Sequence, residues 1–261
     1  MFLKKYIVNN ILKCIRINTE LNSYHISTAI LHQKTFTQFK NYCHGKAVVV
    51  CGAGPSLQKY KPIEGAVHIA LNRAFLYDKV DFDFIFSQDF DGIRMVQEEL
   101  VEYRKDRCIK LLGTQINGVP EKEIPESLAI RCDALRFNTD SYLQQNGYKS
   151  KFVLDIDSRA IGNMPNVGLS CMQFALYMNP SVLYIAGCDL TGSHFSQKNL
   201  QEKERKEEEH IMHNYWEVHA KKQIAKWEEL KQFAQKHYPD TRLISVNPVG
   251  LRGVFEDLYQ E

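Results

Sequence analysis

Several things are scarce in this chain, and each shortage removes a class of protein. No apolar run approaches the roughly 20 residues that cross a bilayer, and the first residues lack the small-residue cleavage site of a secretory signal. A surplus of one charge is missing too: 33 Lys and Arg against 31 Asp and Glu leave a net charge of +2. Proteins that hold nucleic acid by bulk charge show a strongly basic face, so nucleic acid is not an expected partner. The seven cysteines, Cys14, Cys43, Cys51, Cys108, Cys132, Cys171 and Cys188, contain no Cys-x-x-Cys pair. An odd, scattered set lying partly inside apolar runs reads as reduced core thiols of a cytosolic protein, not as a zinc or dithiol framework. Internal repeats and Gly/Ser linkers are lacking as well. One catalytic-sized core, with at most an appendage, is the expectation for 261 residues that are 44% hydrophobic.

The N-terminal stretch "FLKKYIVNNILKCIRI" puts Phe2, Leu3, Ile7, Ile11, Leu12 and Ile15 broadly on one helical face and Lys5, Lys13 and Arg16 on the other. Such a basic amphipathic helix either packs its apolar face on the domain or lies on a membrane surface through residues 2–17. Residues 1–44 are therefore set apart as a helical extension, and 45–261 as the catalytic domain. Within the latter, short β-rich runs at 47–51, 67–71, 82–87, 108–112, 182–187 and 242–246 alternate with helical spacing at 91–106, 168–178 and 198–237. That alternation predicts an α/β fold, a Rossmann-like, mostly parallel sheet with helices on both faces. The charge run "QKNLQEKERKEEEHIMH" reads either as a helical lid over about 192–222 or as a solvated helix face.

The first strand runs into Gly52-Ala53-Gly54-Pro55-Ser56, a turn with almost no side chains. In a parallel sheet this is where backbone approaches phosphate. Gly52 and Gly54 would supply positive φ and remove the Cβ atoms that hold a ligand off, while the following amides and Ser56 would donate to phosphate oxygens. Pro55 suits a first helical turn. The third glycine of the dinucleotide fingerprint and the Gly-Lys-Ser/Thr of a P-loop are both missing, so neither NAD nor a Walker-type ATP site is supported. Other strand ends carry Asn72 and Arg73; Ser87, Gln88, Asp89 and Asp91; Gly187, Asp189, Thr191, Ser193 and His194; and finally Asn247, Gly250 and Arg252. Arg159, Asn163 and Asn166 precede a small-residue helix start apt for a carboxylate or phosphate. Each could be a turn former or cap, but together they define one ligand edge.

With these blocks in order, "VVVCGAGPSL", "ALNRAF", "DFDFIFSQD", "NVGLSCMQFALYMNPSVLYIAGCDLTGSHF" and "LISVNPVGLRGVF", the chain resembles two related groups over about residues 44–256. One is the bacterial lipooligosaccharide sialyltransferases. The other contains the motility-accessory flagellin glycosyltransferases and the archaeal hydroxymethylpterin pyrophosphokinase. The first resemblance implies a glycosyltransferase-type fold and a metal-independent, inverting transfer from a CMP-linked sialic acid or similar keto acid to a cell-surface glycan. It requires no cofactor. It places Gly52, Ala53, Gly54, Pro55 and Ser56 at the donor phosphate, Asn72 and Gln88 at nucleotide-contacting Asn positions, and Gly187 and Asp189 along the cytidine pocket. Arg73, Asp89, Asn166, Asn247 and Arg252 complete the expected donor site.

Two departures stand out. The family holds its leaving phosphate with tyrosines soon after the Gly-x-Asp block, where this chain has Thr191 and Phe195; Tyr215 would substitute if the lid folds back. The base, a histidine before the last strand, falls to His219, with His213 and His194 as alternatives. The second resemblance implies a Mg²⁺-dependent phosphotransferase with Asp89, Asp91 and Asp189 as ligands. A non-catalytic nucleotide- or glycan-binding module is the third reading. The expected location is the cytoplasm, with peripheral contact at the inner membrane face and room for an oligomer.

Overall fold

The computed structural model describes residues 2–114, 120–190 and 221–260, giving only the backbone for 2–15. Eight strands form one sheet: β1 (Ala47–Cys51), β2 (Val67–Leu71), β3 (Phe84–Ser87), β4 (Ile109–Gly113), β5 (Leu135–Phe137), β6 (Val182–Ala186), β7 (Arg242–Val246) and β8 (Glu256–Leu258). Their order is β5-β4-β3-β2-β1-β6-β7-β8, and every pairing is parallel. The mostly parallel α/β sheet expected from the sequence is the one observed. The helices are α1 (Phe2–Phe36), α2 (Gln97–Glu102), α3 (Glu126–Arg131), α4 (Ser141–Gln145), α5 (Val167–Tyr177) and α6 over residues 221–237.

Parallel strands need helical crossovers, which cover both faces, so β1 and β6 at the centre are apolar at every position. In β1, Val48 and Val50 face the core under α5, whereas Val49 and Cys51 face the core on the other side with Leu57, Phe75, Leu100 and Leu128. Helix α5 is buried from Gly168 to Tyr177. A helix apolar all round is one enclosed on all sides, and here Phe174 meets Phe36, Phe39, Phe84 and Phe86 while Trp227 of α6 closes over the same core.

Helix α1 is tied to the domain along its C-terminal half. Leu21, Tyr24, Thr28, His32, Thr35 and Phe36 are buried, while Ile26 and Ile30 are exposed. Tyr24 donates to the Thr139 carbonyl at 2.5 Å, and Thr35 Oγ1 donates to the Arg136 carbonyl at 2.7 Å. His32 Nε2 accepts from the Asn138 amide at 2.7 Å, so Nδ1 carries the proton and donates to the Ile156 carbonyl, also at 2.7 Å. The edge strand β5 is thereby covered, the usual remedy for an unpaired parallel edge. No helix among the described residues is long and apolar enough to cross a membrane.

Three local readings differ. Strands β5 and β8, each of three residues, were not expected, because so short a run carries no periodicity. The segment 91–106 is not one helix: a 3₁₀ turn (Arg94–Val96) precedes the short α2, and the chain turns at Arg104, φ +38°. Phe36, Phe39 and Cys43, on the segment read as an extension, belong to the main core.

Candidate functional site at the carboxyl edge of the sheet

The strand order reverses between β1 and β6: β1 is followed outward by β2, and β6 by β7 on the other side. Loops diverge there, and a ligand crevice at the carboxyl ends of the strands is the general consequence. The turn after β1 and the turn after β6 meet at this point. Gly52 N–H donates to the Ala186 carbonyl and Gly54 N–H to the Gly187 carbonyl, both at 2.8 Å.

This contact is what the glycines are for. Gly54 sits at φ −67°, ψ 158°, and Gly52 is likewise not among the positive-φ residues, so left-handed backbone, the first reason expected for them, is not the cause. A Cβ on Gly54 would lie 2.6 Å from the Gly187 oxygen and 2.8 Å from the Asp189 carboxyl carbon; one on Gly52 would lie 2.9 Å from Cys188 Sγ. The left-handed residues stand instead at other strand ends: Asn72 (φ +51°), Gly187 (φ +66°) and Asn247 (φ +47°) follow β2, β6 and β7.

Pro55 opens a 3₁₀ turn, Pro55–Lys59, as its missing N–H permits. The Ser56 amide donates to Asp189 Oδ2 at 2.7 Å, and Ser56 Oγ donates to Asp189 Oδ1. Both Ser56 donors are thus engaged by a buried carboxylate. A ligand phosphate at this turn would have to compete with Asp189, or displace it. Ser56, Gly187, Cys188, Asp189, Ser245 and Asn247 border a cavity of about 10 Å³, room for one water. Burial pushes the Cys188 thiol up to about 12, so it stays protonated and is no nucleophile.

Beyond β2 and β3 a polar rim continues. Asn72 Oδ1 accepts from Ser87 Oγ at 2.9 Å, and Gly92 presses so closely on the Asn72 carboxamide that no Cβ would fit. Asp89 accepts the Gly92 amide at 3.0 Å, and burial raises its carboxyl pKa. Arg73 and Gln88 are buried. Gln88 Nε2 donates to Asn163 Oδ1 at 2.6 Å, and the Asn163 amide donates to Asp140 Oδ1 at 2.6 Å. Asp140 and Gln144 had no place in the sequence reading; "NTDS", a polar cluster straight after β5, is the signal of a strand end that would have found them.

Other expected residues have structural partners. Asn166 caps α5, accepting from Gly168 N–H at 2.7 Å, and donates to Gln223 Oε1 at 3.1 Å. Asn247 accepts from the Gln260 amide at 2.8 Å and donates to the Lys59 carbonyl at 3.3 Å, holding the C-terminal segment. Arg252 is exposed, and Arg159 is exposed and paired with Asp155 at 2.9 Å. Asp91 pairs with Arg94 at 2.8 Å and Lys122 at 3.2 Å, while Asp189 holds Ser56, so these carboxylates are engaged separately. Among the described residues no group of three His, Cys, Asp or Glu side chains is placed to hold a metal ion. Thr191, His194, His213, Tyr215 and His219, with the expected lid, lie outside the described residues. Of the described histidines, His32 is used by α1, and His68 bonds Tyr60 Oη at 2.9 Å.

The fold and this edge define a Rossmann-like α/β protein with its polar residues gathered at the switch point. No family model matches the chain, and no curated protein matches it. Among solved structures it is similar to the sialyltransferase CstII from Campylobacter jejuni in complex with the substrate analogue CMP-3FNeuAc, with a TM-score of 0.46 and 14% identity, covering 82% of this chain and 86% of that one. It is similar as well to the sialyltransferase CST-II in complex with trisaccharide acceptor and CMP, with a TM-score of 0.45 and 14% identity over the same shares, 82% and 86%. A third likeness is to monomeric CstII, with a TM-score of 0.44 and 16% identity, covering 77% and 80%. At that identity the likeness is one of chain trace and does not extend to chemistry.

Proposed function

We propose that this chain is a glycosyltransferase that takes a nucleotide-activated sugar, a CMP-linked sialic acid or similar keto acid, and transfers it with inversion and without a metal to a bacterial cell-surface glycan. The observation that carries this reading is the meeting of the Gly52–Ser56 turn with Gly187–Asp189 at the β1/β6 switch point, beside Asn72 and Gln88 on the same edge. The ordered sequence blocks that resemble the sialyltransferases fall on these same strand ends.

In such a reaction an acceptor hydroxyl attacks the anomeric carbon, the bond from that carbon to the phosphate oxygen breaks, and the hydroxyl proton passes to a base. The chain's part is to bind the nucleotide across the rim, orient the sugar and take that proton. Without a metal, the leaving phosphate is stabilised by hydrogen bonds alone. His219, with His213 and His194 as alternatives, is assigned the base. Residues 2–17, basic and amphipathic in sequence, would hold the enzyme at the inner membrane face beside a glycolipid acceptor.

Titration calorimetry with CMP, CDP, UDP, GDP and ATP, with and without Mg²⁺, tests the reading. Metal-independent preference for CMP is expected. Mg²⁺-dependent ATP binding would replace it with the phosphotransferase, and binding without turnover on any acceptor would leave a binding module.

A further inference from the structure

The polar rim contains a chain of amides whose direction is fixed at one end. The backbone carbonyl of Asn163 can only accept, and Gln144 Nε2 donates to it at 3.1 Å. Gln144 must therefore present Oε1 to its other neighbour, and Asn163 Nδ2 donates to that oxygen at 2.9 Å. Asn163 in turn presents Oδ1, which accepts from Gln88 Nε2 at 2.6 Å. Three amides are oriented in series from a single carbonyl. The far end is Gln88 Oε1, a buried acceptor with no hydrogen-bond partner among the described residues, on a residue only 6% exposed. The relay is braced from below: Asp140 receives the Asn163 amide at 2.6 Å and is itself held by Ser150 Oγ at 2.7 Å. A Cβ on Gly113 would run into the Gln88 carbonyl, so the two backbones pass closely here.

A carboxamide is ordinarily ambivalent, because a half-turn exchanges donor and acceptor. This one is not, since turning it alone sets oxygen against oxygen at Asn163, and turning its neighbours with it only moves that clash to the Asn163 carbonyl. An acceptor withheld from both water and protein costs stability until something supplies a donor. Gln88 directly follows β3, two strands from β1, which is about 10 Å at the spacing of neighbouring strands. That is the reach from a nucleotide's phosphate to its ribose hydroxyls and base edge.

We propose that Gln144 and Asn163 are positioning residues that hold Gln88 as an acceptor-only contact, so that this edge selects a nucleoside bearing a hydrogen-bond donor, an amino group or a hydroxyl, at that point. The inference rests on the nucleotide reading given above and deepens it. The relay makes the preference directional: a nucleoside with an acceptor in that place is rejected more strongly than one with nothing there.

CMP offers three such donors, the 4-amino group and the 2′ and 3′ hydroxyls, and each has a counterpart with an acceptor at that atom: UMP, in which N3 becomes a donor as well, 2′-fluoro-2′-deoxy-CMP and 3′-fluoro-3′-deoxy-CMP. Calorimetry with the full chain compares CMP with these three and with the two plain deoxy nucleotides. One acceptor swap is expected to weaken binding about ten-fold or more, and, for a hydroxyl, beyond the plain deoxy analogue. In Gln144→Ala the relay is unanchored and can reverse, so the same swap should cost less than about three-fold. Gln88→Met, of similar shape and without the acceptor, should bind CMP more weakly and lose the discrimination. A purely structural role for Gln144 would weaken CMP and its analogue alike and leave their ratio unchanged; that result, or swaps that all fall within about three-fold in the parent protein, overturns the relay. Failure of the underlying reading looks different, since CMP then gives no binding heat at all, and it removes both. Thermal melts of each variant confirm that the folded chain is being compared.

Discussion

The two halves of the carboxyl edge are built in opposite ways. Where β1 meets β6, backbone packs on backbone: Gly52 and Gly54 lie against Gly187, and the side chains that remain, Ser56 and Asp189, bond to each other. Where β3 approaches β5, the edge is made of side chains, with Gln88, Asn163, Gln144 and Asp140 joined by hydrogen bonds and Thr114 bonded to Asn138 beside them. Close backbone contact gives a rigid corner that no added atom can enter. An amide network fills more space with softer contacts, and its information lies in the direction of its dipoles. The first should fail by steric expansion, the second by loss of polarity or by protonation.

The largest effect is expected for Gly54→Ala. Its Cβ would meet the Gly187 oxygen at 2.6 Å and Asp189 at 2.8 Å, both fixed groups. Overpacking of this kind costs about 1–3 kcal/mol, and the upper end is expected because backbone stands on one side. Urea unfolding reads the stability, and CMP binding should be lost in the folded fraction. A Gly54→Ala protein as stable as the parent would show that the corner is softer than its contacts imply.

Asp189→Asn is next. The amide oxygen keeps the Ser56 N–H and the new NH₂ can donate to Ser56 Oγ, so two neutral hydrogen bonds replace two charge-assisted ones, at a cost of about 1–2 kcal/mol. The same unfolding experiment reads it.

Acid separates the two regions. His32 is fully buried, and desolvation lowers its pKa to about 4, below the ordinary value of 6.5. The unfolded chain takes up a proton below 6.5 that the folded chain refuses until about 4, so this contribution is complete above 6.5 and is lost as pH falls from 6.5 to 4, by roughly 1 kcal/mol per pH unit. Buried Asp89 and Asp140, with raised pKa values, act in the opposite sense, and His68, lowered by burial, in the same one. The difference between parent and His32→Gln therefore isolates His32: the variant should show a shallower fall in Tm between pH 6.5 and 5. Parallel curves would remove His32 from the acid response.

The smallest change in stability is expected for Asn72→Gly. Glycine keeps φ +51° without strain and loses only the Ser87 hydrogen bond, so unfolding should move by less than about 1 kcal/mol. CMP affinity, measured by titration, should nevertheless drop. Unchanged affinity would take Asn72 out of the rim.

Local order was legible wherever it rests on neighbours in the chain. The strands 47–51, 67–71 and 242–246 were read with their observed bounds, because a short run rich in β-branched and apolar residues needs only its own residues to be recognised. Strands β5 and β8 escaped because three residues carry no period and their pairing is supplied by β4 and β7. The described candidate residues after β1, β2, β3 and β6, as far as Asp189, do lie on one edge of the sheet. Asn166 and Asn247 proved to have structural partners, since a cap and a ligand contact call for the same residue type.

By itself, then, the sequence determined an alternating α/β chain, a parallel sheet and the strand ends at which polar residues gather, all consequences of short-range periodicity and backbone preference. Only the tertiary structure decided what those polar atoms do. Ser56 finds Asp189 across 133 positions and Gln88 finds Asn163 across 75, and nothing local to either member of such a pair names the other. The glycines of the first turn were read as space for a ligand; their neighbours across the sheet made them space for a second turn. A donor or acceptor acquires its role from its partner, and partners are assigned by the fold.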